Sequence, residues 1–529
     1  MKTGQAVPSR VAKLLAALAG LGLLGVVELV LQLAGAGPAN NLFVPERRGQ
    51  PQVYAINPLV AHRFFQPQHR RQVSTPASFS RQKEPGTVRI FALGESTLLG
   101  FPNPAYASFP AFLALMLEDR FPERDFEVLN CGITAINSFC VLDFMEEVVE
   151  YQPDLVLLYT GHNEFIGPYG ITTPFLRFGN NRTLIRLHML LQRSKIYYYL
   201  KELIHRLHPE EEVNFGMHLV DKEVGLFDPG YRITGENYRA NLEEMLETAR
   251  GRGVPVLLST LVANVKDFHP LRSECDGTEP ALQLEELLRQ GRLQEAQRIG
   301  ALALADHPDC ANLHFNTGQL YLRLADYQAA RQEFTLARDL DRLPFRAPAQ
   351  FNQIIQELAG SAAGEVLLCD VEEAFSAHSP HGLIGDELIT EYLHPTVYGH
   401  YLIARSMAQS LEQSALGQGW GRTAGEGLKD YETCAQQLGY TLWDEVLYRN
   451  DLILFLRKMP YRELPLVLRR RLADLMRDQL RDVPRLAPAA RRQFREKGGL
   501  EFLRRMQEVL LPEDRHLLEK GLRQLEGQL

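Results

Sequence analysis

The chain has 529 residues, a formal net charge of -8, 45% hydrophobic and 23% charged residues. That length exceeds a single core, so roughly two to four domains are expected, and the acidic balance argues against nucleic-acid binding by the protein as a whole. Six cysteines without a C-x-x-C pair exclude a disulfide framework and a structural zinc site; Cys131 and Cys369, at apparent strand ends, read as small core residues.

Leu14 to Val27 carries no charge, and Leu29, Val30, Leu31 and Leu33 extend the apolar run past Glu28. The whole run approaches the ~20 residues of a spanning helix. Glu28 opposes insertion by about 2.5–3.5 kcal/mol at a helix centre and by less near the interface. Lys2, Arg10 and Lys13 precede the run and favour a cytoplasmic N-terminus, although Arg47 and Arg48 beyond it weaken that bias. Residues 1–37 therefore read as a membrane signal-anchor, which places the remaining chain outside the cytoplasm, in the periplasm or at the cell surface. A signal peptide cut after Ala34-Gly35-Ala36 and a buried soluble helix are the alternatives.

Residues 38–86, with scattered Pro, Gln and Arg, read as irregular. Val88–Leu93 is the first strand, followed by a helix over Phe109–Leu117, a strand over Phe126–Asn130 and a helix over Ser138–Val149. Asp154–Tyr159 is a third, almost wholly apolar strand, the pattern of a parallel sheet buried on both faces. Residues 165–237 form a lid-like insertion rich in aromatics, among them Phe165, Tyr169, Phe175, Phe178 and Tyr197–Tyr199, interleaved with Arg182, Arg186 and Arg193. After a helix over Tyr238–Arg250, Val254–Thr260 and Glu365–Cys369 supply the fourth and fifth strands. The alternation predicts an α/β protein, a three-layer α/β/α sandwich around a five-stranded parallel sheet.

Residues 281–343 interrupt that alternation. Gly318, Tyr321, Ala330, Phe334 and Ala337 fall at tetratricopeptide-repeat spacings, and Ala296 lies thirty-four residues before Ala330. This stretch resembles the tetratricopeptide family, usually a partner-docking module; a plain helical hairpin is the alternative. So short an array should pack on its host domain. The α/β part resumes over 344–416, and 417–529 read as helical. Arg457 to Arg505 holds fifteen basic and six acidic residues, a solvated helical face or a surface for anionic lipid.

The strand ends carry the chemistry. Gly94 allows a sharp turn after the first strand, and Ser96 follows at its carboxyl end, where open α/β sheets bind ligands. Neither a G-x-S-x-G elbow nor a phosphate loop is present. Gly132 ends the second strand, Asn163 follows the third, and Glu391-Tyr-Leu-His394 follows the fifth. On a parallel sheet these groups converge on one rim. His394 can take the serine proton and Glu391 can orient the imidazole. The backbone N–H groups of Ser96 and Gly132 and the amide of Asn163 can donate to an oxyanion.

This set resembles the SGNH/GDSL hydrolases. Gly94-Glu95-Ser96 looks like the first block, Asn130-Cys-Gly132 the second, Gly161-His-Asn163-Glu164 the third, and Glu391-x-x-His394 the D-x-x-H block. The resemblance covers about 88–270 and 346–410. It implies ester or acyl hydrolysis without metal or cofactor, with Ser96 as nucleophile, His394 as base, Glu391 as orienting acid, and Ser96, Gly132 and Asn163 as oxyanion donors. Glu95 and Glu391 both replace the usual Asp, and Asp386 and Glu387 are alternative orienting acids. Rival readings are an O-acyltransferase on envelope glycan, a membrane-tethered repeat scaffold with a silent hydrolase domain, and a metal hydrolase using His162, His378, His381 and His394.

Overall fold

The computed structural model describes residues 10–47, 50–65, 78–173, 181–207, 223–362, 364–421, 425, 427–457 and 466–528. The apolar run forms helix α1 (Arg10–Leu33), and its portion Ala12–Leu33 is long and apolar enough to cross a membrane. From Leu14 to Leu33 its leucines and valines are exposed apart from the half-buried Leu31.

Residues 38–86, expected to be irregular, instead contain a three-stranded antiparallel sheet of β1 (Phe43–Arg47), β2 (Gln50–Ile56) and β3 (Ser78–Ser80). Pro45 and Pro51 hide it, because proline within a run argues against a strand. Phe43, Tyr54 and Phe79 pack with Phe91 and Tyr151, ring centroids 4.8 to 6.1 Å apart. Arg89, fully buried, ties this small sheet to the large one. Its guanidinium donates to Glu127 Oε2 at 2.7 Å and to the carbonyls of Tyr151 and Ser80 at 2.8 Å. A buried cation persists only when paired in this way.

The large sheet holds β4 (Thr87–Gly94), β5 (Asp125–Gly132), β6 (Leu155–Tyr159), β7 (Val256–Ser259) and β8 (Val366–Cys369), all parallel, in the order β5-β4-β6-β7-β8. Every residue of β4, β6 and β7 is buried. Helices form the two outer layers. Helix α2 (Ser96–Leu99) follows β4 directly. Helix α3 (Phe109–Arg120) packs with Val397–Gln413, and α4 (Ser138–Val148) packs with Pro229–Arg250, which also contacts Ala349–Ser361. The strand order reverses at β4, so its carboxyl end faces the crevice in which doubly wound sheets bind ligands.

The described part of the 165–237 insertion contains α5 (Arg182–Gln192) and α6 (Lys195–Leu207); Phe175 and Phe178 lie outside the described residues. Within 281–343, four helices, Glu279–Arg289, Leu293–Asp306, Ala311–Arg323 and Tyr327–Asp339, pack successively. Ala330, Phe334 and Ala337 are buried and form a cluster with Phe315 and with Leu383 of the hydrolase-like part. Gln319 Nε2 donates to the Lys266 carbonyl at 2.6 Å, a second tie to the host. Cys275 and Cys310 form a disulfide with Cα atoms 5.5 Å apart, a pairing the cysteine count did not suggest.

Beyond residue 430 the described residues are mainly helical, including Leu442–Leu456, Leu466–Asp482 and Pro512–Gln528. Several arginines of the basic stretch are paired within the protein. Arg471 meets Asp386 at 3.2 Å, Arg477 meets Asp514 at 2.9 Å, and Arg504 meets Glu526 at 2.6 Å. These pairs favour a solvated, self-neutralised helical surface over a lipid-binding one.

Candidate active site

Ser96 is the first residue of α2, and Glu95 before it has an extended backbone (φ -102°, ψ -157°). The turn depends on Gly94: a Cβ there would come 2.1 Å from the Tyr159 carbonyl oxygen. Because Ser96 opens the helix, its N–H is one of the groups with no intrahelical acceptor.

The histidine comes from a tight loop ahead of Val397–Gln413. Thr390 N–H donates to the His394 carbonyl at 2.8 Å and Thr396 N–H to that of Leu388 at 2.9 Å. Inside it, the Glu391 carboxylate accepts from the backbone N–H groups of Tyr392 and of His394, the latter at 2.9 Å. The same oxygen that takes the His394 N–H also meets His394 Nδ1. His394 Nε2 lies 2.8 Å from Ser96 Oγ. The three side chains, 298 residues apart in sequence at the extremes, form one continuous hydrogen-bonded line. Asp386 and Glu387 do not join it. Asp386 accepts from Asn264 Nδ2 at 2.9 Å and pairs with Arg471, and Glu387 pairs with Lys266 at 3.0 Å.

Asn163 is buried on the turn after β6. Its Nδ2 donates to the Ile136 carbonyl at 2.9 Å, which uses one of the two amide hydrogens and leaves the second for another acceptor. Glu95 fixes this turn. Its carboxylate accepts from Thr160 Oγ1 at 2.7 Å, Gly161 N–H at 2.8 Å, and the N–H groups of His162 and Asn163 at 3.2 Å. Burial, reinforced by the nearby Glu164, pushes the Glu95 carboxyl up to about 8. Sequence reasoning treated Glu95 only as a neighbour of the serine. Four donors converging on one buried carboxylate make it the clasp between the β4 and β6 ends.

Gly132 also sits at this rim, paired in register with Gly94. Its N–H, expected to face an oxyanion, donates instead to Asn130 Oδ1 at 2.9 Å. The glycine answers a steric demand, since a Cβ there would lie 2.3 Å from Leu99 N. Asn130, which sequence reasoning passed over, also donates to the Leu98 carbonyl at 2.9 Å and to Ser108 Oγ at 3.2 Å, so it pins α2 to β5.

Ser96, Gly132, Asn163 and His394, the positions on which the resemblance to the SGNH/GDSL hydrolases rests, thus lie at one rim of the sheet. No known family profile matches the sequence, and no curated protein matches it. Among solved structures the chain is similar to a protein assigned to the G-D-S-L lipolytic family from Desulfitobacterium hafniense (10% identity, 61% of this chain and 99% of that one, TM-score 0.27). It is also similar to an acetylxylan esterase from Geobacillus stearothermophilus (13%, 63% and 96%, TM-score 0.30) and to a GDSL-like lipase from Bacteroides thetaiotaomicron (11%, 61% and 88%, TM-score 0.29). At such identities and TM-scores these likenesses carry no argument about the site, which rests on the chain's own side chains.

Two features around this site escaped sequence reasoning. Phe455, from Leu442–Leu456, approaches the His394 ring with centroids 6.1 Å apart, and Phe101 does so at 5.0 Å. The hydroxyl of Tyr448, two turns earlier on the same face of that helix, bonds Thr390 Oγ1. The C-terminal helices thus wall the histidine loop, and Ser96, Asn163 and His394 are each less than a tenth exposed. The other histidines have separate places. Burial drives His162 down to about 3, so it is neutral, and its Nδ1 accepts from Ala347 N–H at 3.2 Å. His381 stacks on Tyr327 with centroids 3.7 Å apart, and His378 Nδ1 bonds the Ala374 carbonyl. Arg182 and Arg186 of α5 and Arg193 after it pair with Glu244, Glu146 and Asp143 of the helices packed on the sheet.

Proposed function

We propose that the chain is a membrane-anchored serine ester hydrolase that passes through an acyl-enzyme on Ser96. The observation that carries this reading is the line Ser96 Oγ–His394 Nε2–His394 Nδ1–Glu391 at the crevice end of β4. His394 Nε2 accepts the hydroxyl proton as Oγ attacks the ester carbonyl, and Glu391 holds the Nδ1–H tautomer and stabilises the imidazolium. The oxyanion receives the Ser96 N–H and the second Asn163 amide hydrogen, each such donor being worth about 3–4 kcal/mol in the transition state. His394 then protonates the departing alcohol. Water, deprotonated by the same nitrogen, releases the acid and regenerates the serine. The Gly132 N–H joins as a third donor only by leaving Asn130.

The substrate class we assign is a carboxylic ester, lipid or acylated envelope glycan, reached from the extracytoplasmic side of a membrane. The Cys275–Cys310 disulfide supports that side, since disulfides persist in oxidising compartments. The helical insert at 281–343 is assigned to docking a protein partner, apart from the ester chemistry. The near-complete burial of Ser96 and His394 favours one second reading, in which a site poor in water hands the acyl group to a sugar hydroxyl. Steady-state turnover of a small acetyl ester by the full chain, compared with Ser96→Ala and His394→Ala, tests the main reading. Both variants are expected to fall to background, and wild-type turnover retained by either would refute it. Labelled acyl groups released to water rather than to added glycan separate hydrolysis from transfer.

A further inference from the structure

Helix α5 turns its arginines toward the protein, and α5 and α6 both turn their leucines outward. Arg186 pairs with Glu146 of α4 at 2.9 Å and with Glu244 of Pro229–Arg250 at 2.7 Å. Arg182 also meets Glu244, and Arg193 meets Asp143 and Glu146 at 2.7 Å. On the opposite side, Leu187, Leu190, Leu203 and Leu207 are 52 to 65% exposed. A helix on a water-facing surface has the reverse polarity, and a contiguous exposed apolar patch marks an interaction site.

Helix α1 identifies the occupant. Glu28, the one charge within its apolar run, accepts from Ser194 Oγ at 2.8 Å, Lys195 N–H at 2.8 Å and Ile196 N–H at 3.0 Å. Those N–H groups open α6 and have no intrahelical acceptors, and a carboxylate is favoured there. Asn40 Nδ2 adds a bond to the Arg193 carbonyl at 2.7 Å just past the end of α1. Glu28 lies five residues before Leu33, or about 8 Å along the axis at 1.5 Å per residue. The α5–α6 elbow therefore meets the apolar helix at the depth, roughly 5–10 Å, to which interfacial helices bury their apolar face.

We propose that α5–α6 is a second membrane contact. Its leucine face lies in the lipid leaflet next to the catalytic domain, and Glu28 is the joint that fixes the domain to its anchor. The inference rests on reading α1 as a membrane anchor. It makes the domain a body seated on the bilayer instead of one hanging from a free linker, and the Glu28 that opposes insertion becomes a structural cap.

The test uses the full chain with Leu190→Cys or Leu203→Cys, each labelled with an environment-sensitive fluorophore. Leu302→Cys, at a 58% exposed position on the helical insert, serves as control; the four native free cysteines are buried. The proteins are reconstituted into phosphatidylcholine–phosphatidylglycerol vesicles and recovered by flotation. Labels at 190 and 203 should emit to the blue of the label at 302 and lose intensity when brominated lipids replace ordinary ones, while the label at 302 does neither. Floated protein whose labels at 190 and 203 respond like the control overturns the hairpin contact and leaves the anchor standing. Labels shielded from water yet untouched by brominated lipid overturn it in favour of a protein partner, such as a second copy. Protein that fails to float removes the anchor and the inference together.

Discussion

Replacing Glu391 by Gln changes one atom and tests the line of hydrogen bonds at its most ambiguous link. One Glu391 oxygen accepts both the His394 N–H, at 2.9 Å, and the Nδ1–H, and the other accepts the Tyr392 N–H. A glutamine amide has only one acceptor oxygen, so either orientation sets an NH2 against a buried N–H donor. If the oxygen keeps the His394 pair, the NH2 opposes Tyr392, and leaving such a donor unsatisfied costs about 1–3 kcal/mol. If the amide flips, its NH2 donates to Nδ1, the proton moves to Nε2, and His394 can no longer accept from Ser96. In both cases the imidazolium loses its anion. Comparable loss of tautomer control in a serine triad costs ~10⁴ in kcat, so about 10²–10⁴ is expected, or roughly 3–5.5 kcal/mol at 1.36 kcal/mol per decade. The assay is kcat for a small acetyl ester, with Tm measured on the same samples to separate misfolding from chemistry. A loss under tenfold in a folded variant would refute the assignment of Glu391. Asp386 and Glu387 would not rescue it, because Asn264, Arg471 and Lys266 hold them elsewhere.

Asn163→Ala should lower kcat by roughly 10²–10³ with little change in KM, as for an oxyanion donor; a change confined to KM would argue for substrate binding alone. Gly132→Ala keeps the backbone N–H but sets a Cβ 2.3 Å from Leu99 N, so it should destabilise the fold by about 1–3 kcal/mol and lower kcat as α2 shifts, read by urea unfolding and turnover; wild-type values in both would contradict the packing account. His400, buried and stacked on Phe109, has its imidazole held down at about 3 by burial. Between about 3 and its ordinary 6.5 the unfolded chain binds the proton and the native one does not, so stability is lost as the pH falls through that window. Relative to His400→Phe, the wild type should lose up to about 1.4 kcal/mol per pH unit between pH 6 and 4, and parallel pH profiles in urea would contradict this.

The parallel sheet was legible because β4, β6 and β7 are buried on both faces and read as continuous apolar runs bounded by glycine and polar turns. The meeting of Ser96 and His394 was legible once the strand ends were read together, since a parallel sheet brings all of them to one rim. What stayed hidden came from contacts between distant segments. The small antiparallel sheet rests on aromatic stacking and on Arg89, neither of which leaves a local period. Glu95 gave no sign of holding the β6 turn, because its partners are four backbone and hydroxyl donors that carry no side-chain signature apart from Thr160. The C-terminal helices read as a basic surface, whereas Phe455 and Tyr448 meet the histidine loop. Glu28 read as an obstacle to insertion because its partners, Ser194 to Ile196, lie far along the chain.

The central claim is that Ser96 becomes acylated. The full chain, mixed with an activated acetyl ester and quenched in acid within the first turnovers, should gain the mass of one acetyl group, and digestion should place it on the peptide bearing Ser96. Treatment with a fluorophosphonate should block that peptide and abolish turnover in parallel. Turnover of the ester with no acyl group trapped on Ser96, or with full activity after the serine is blocked, would contradict the account.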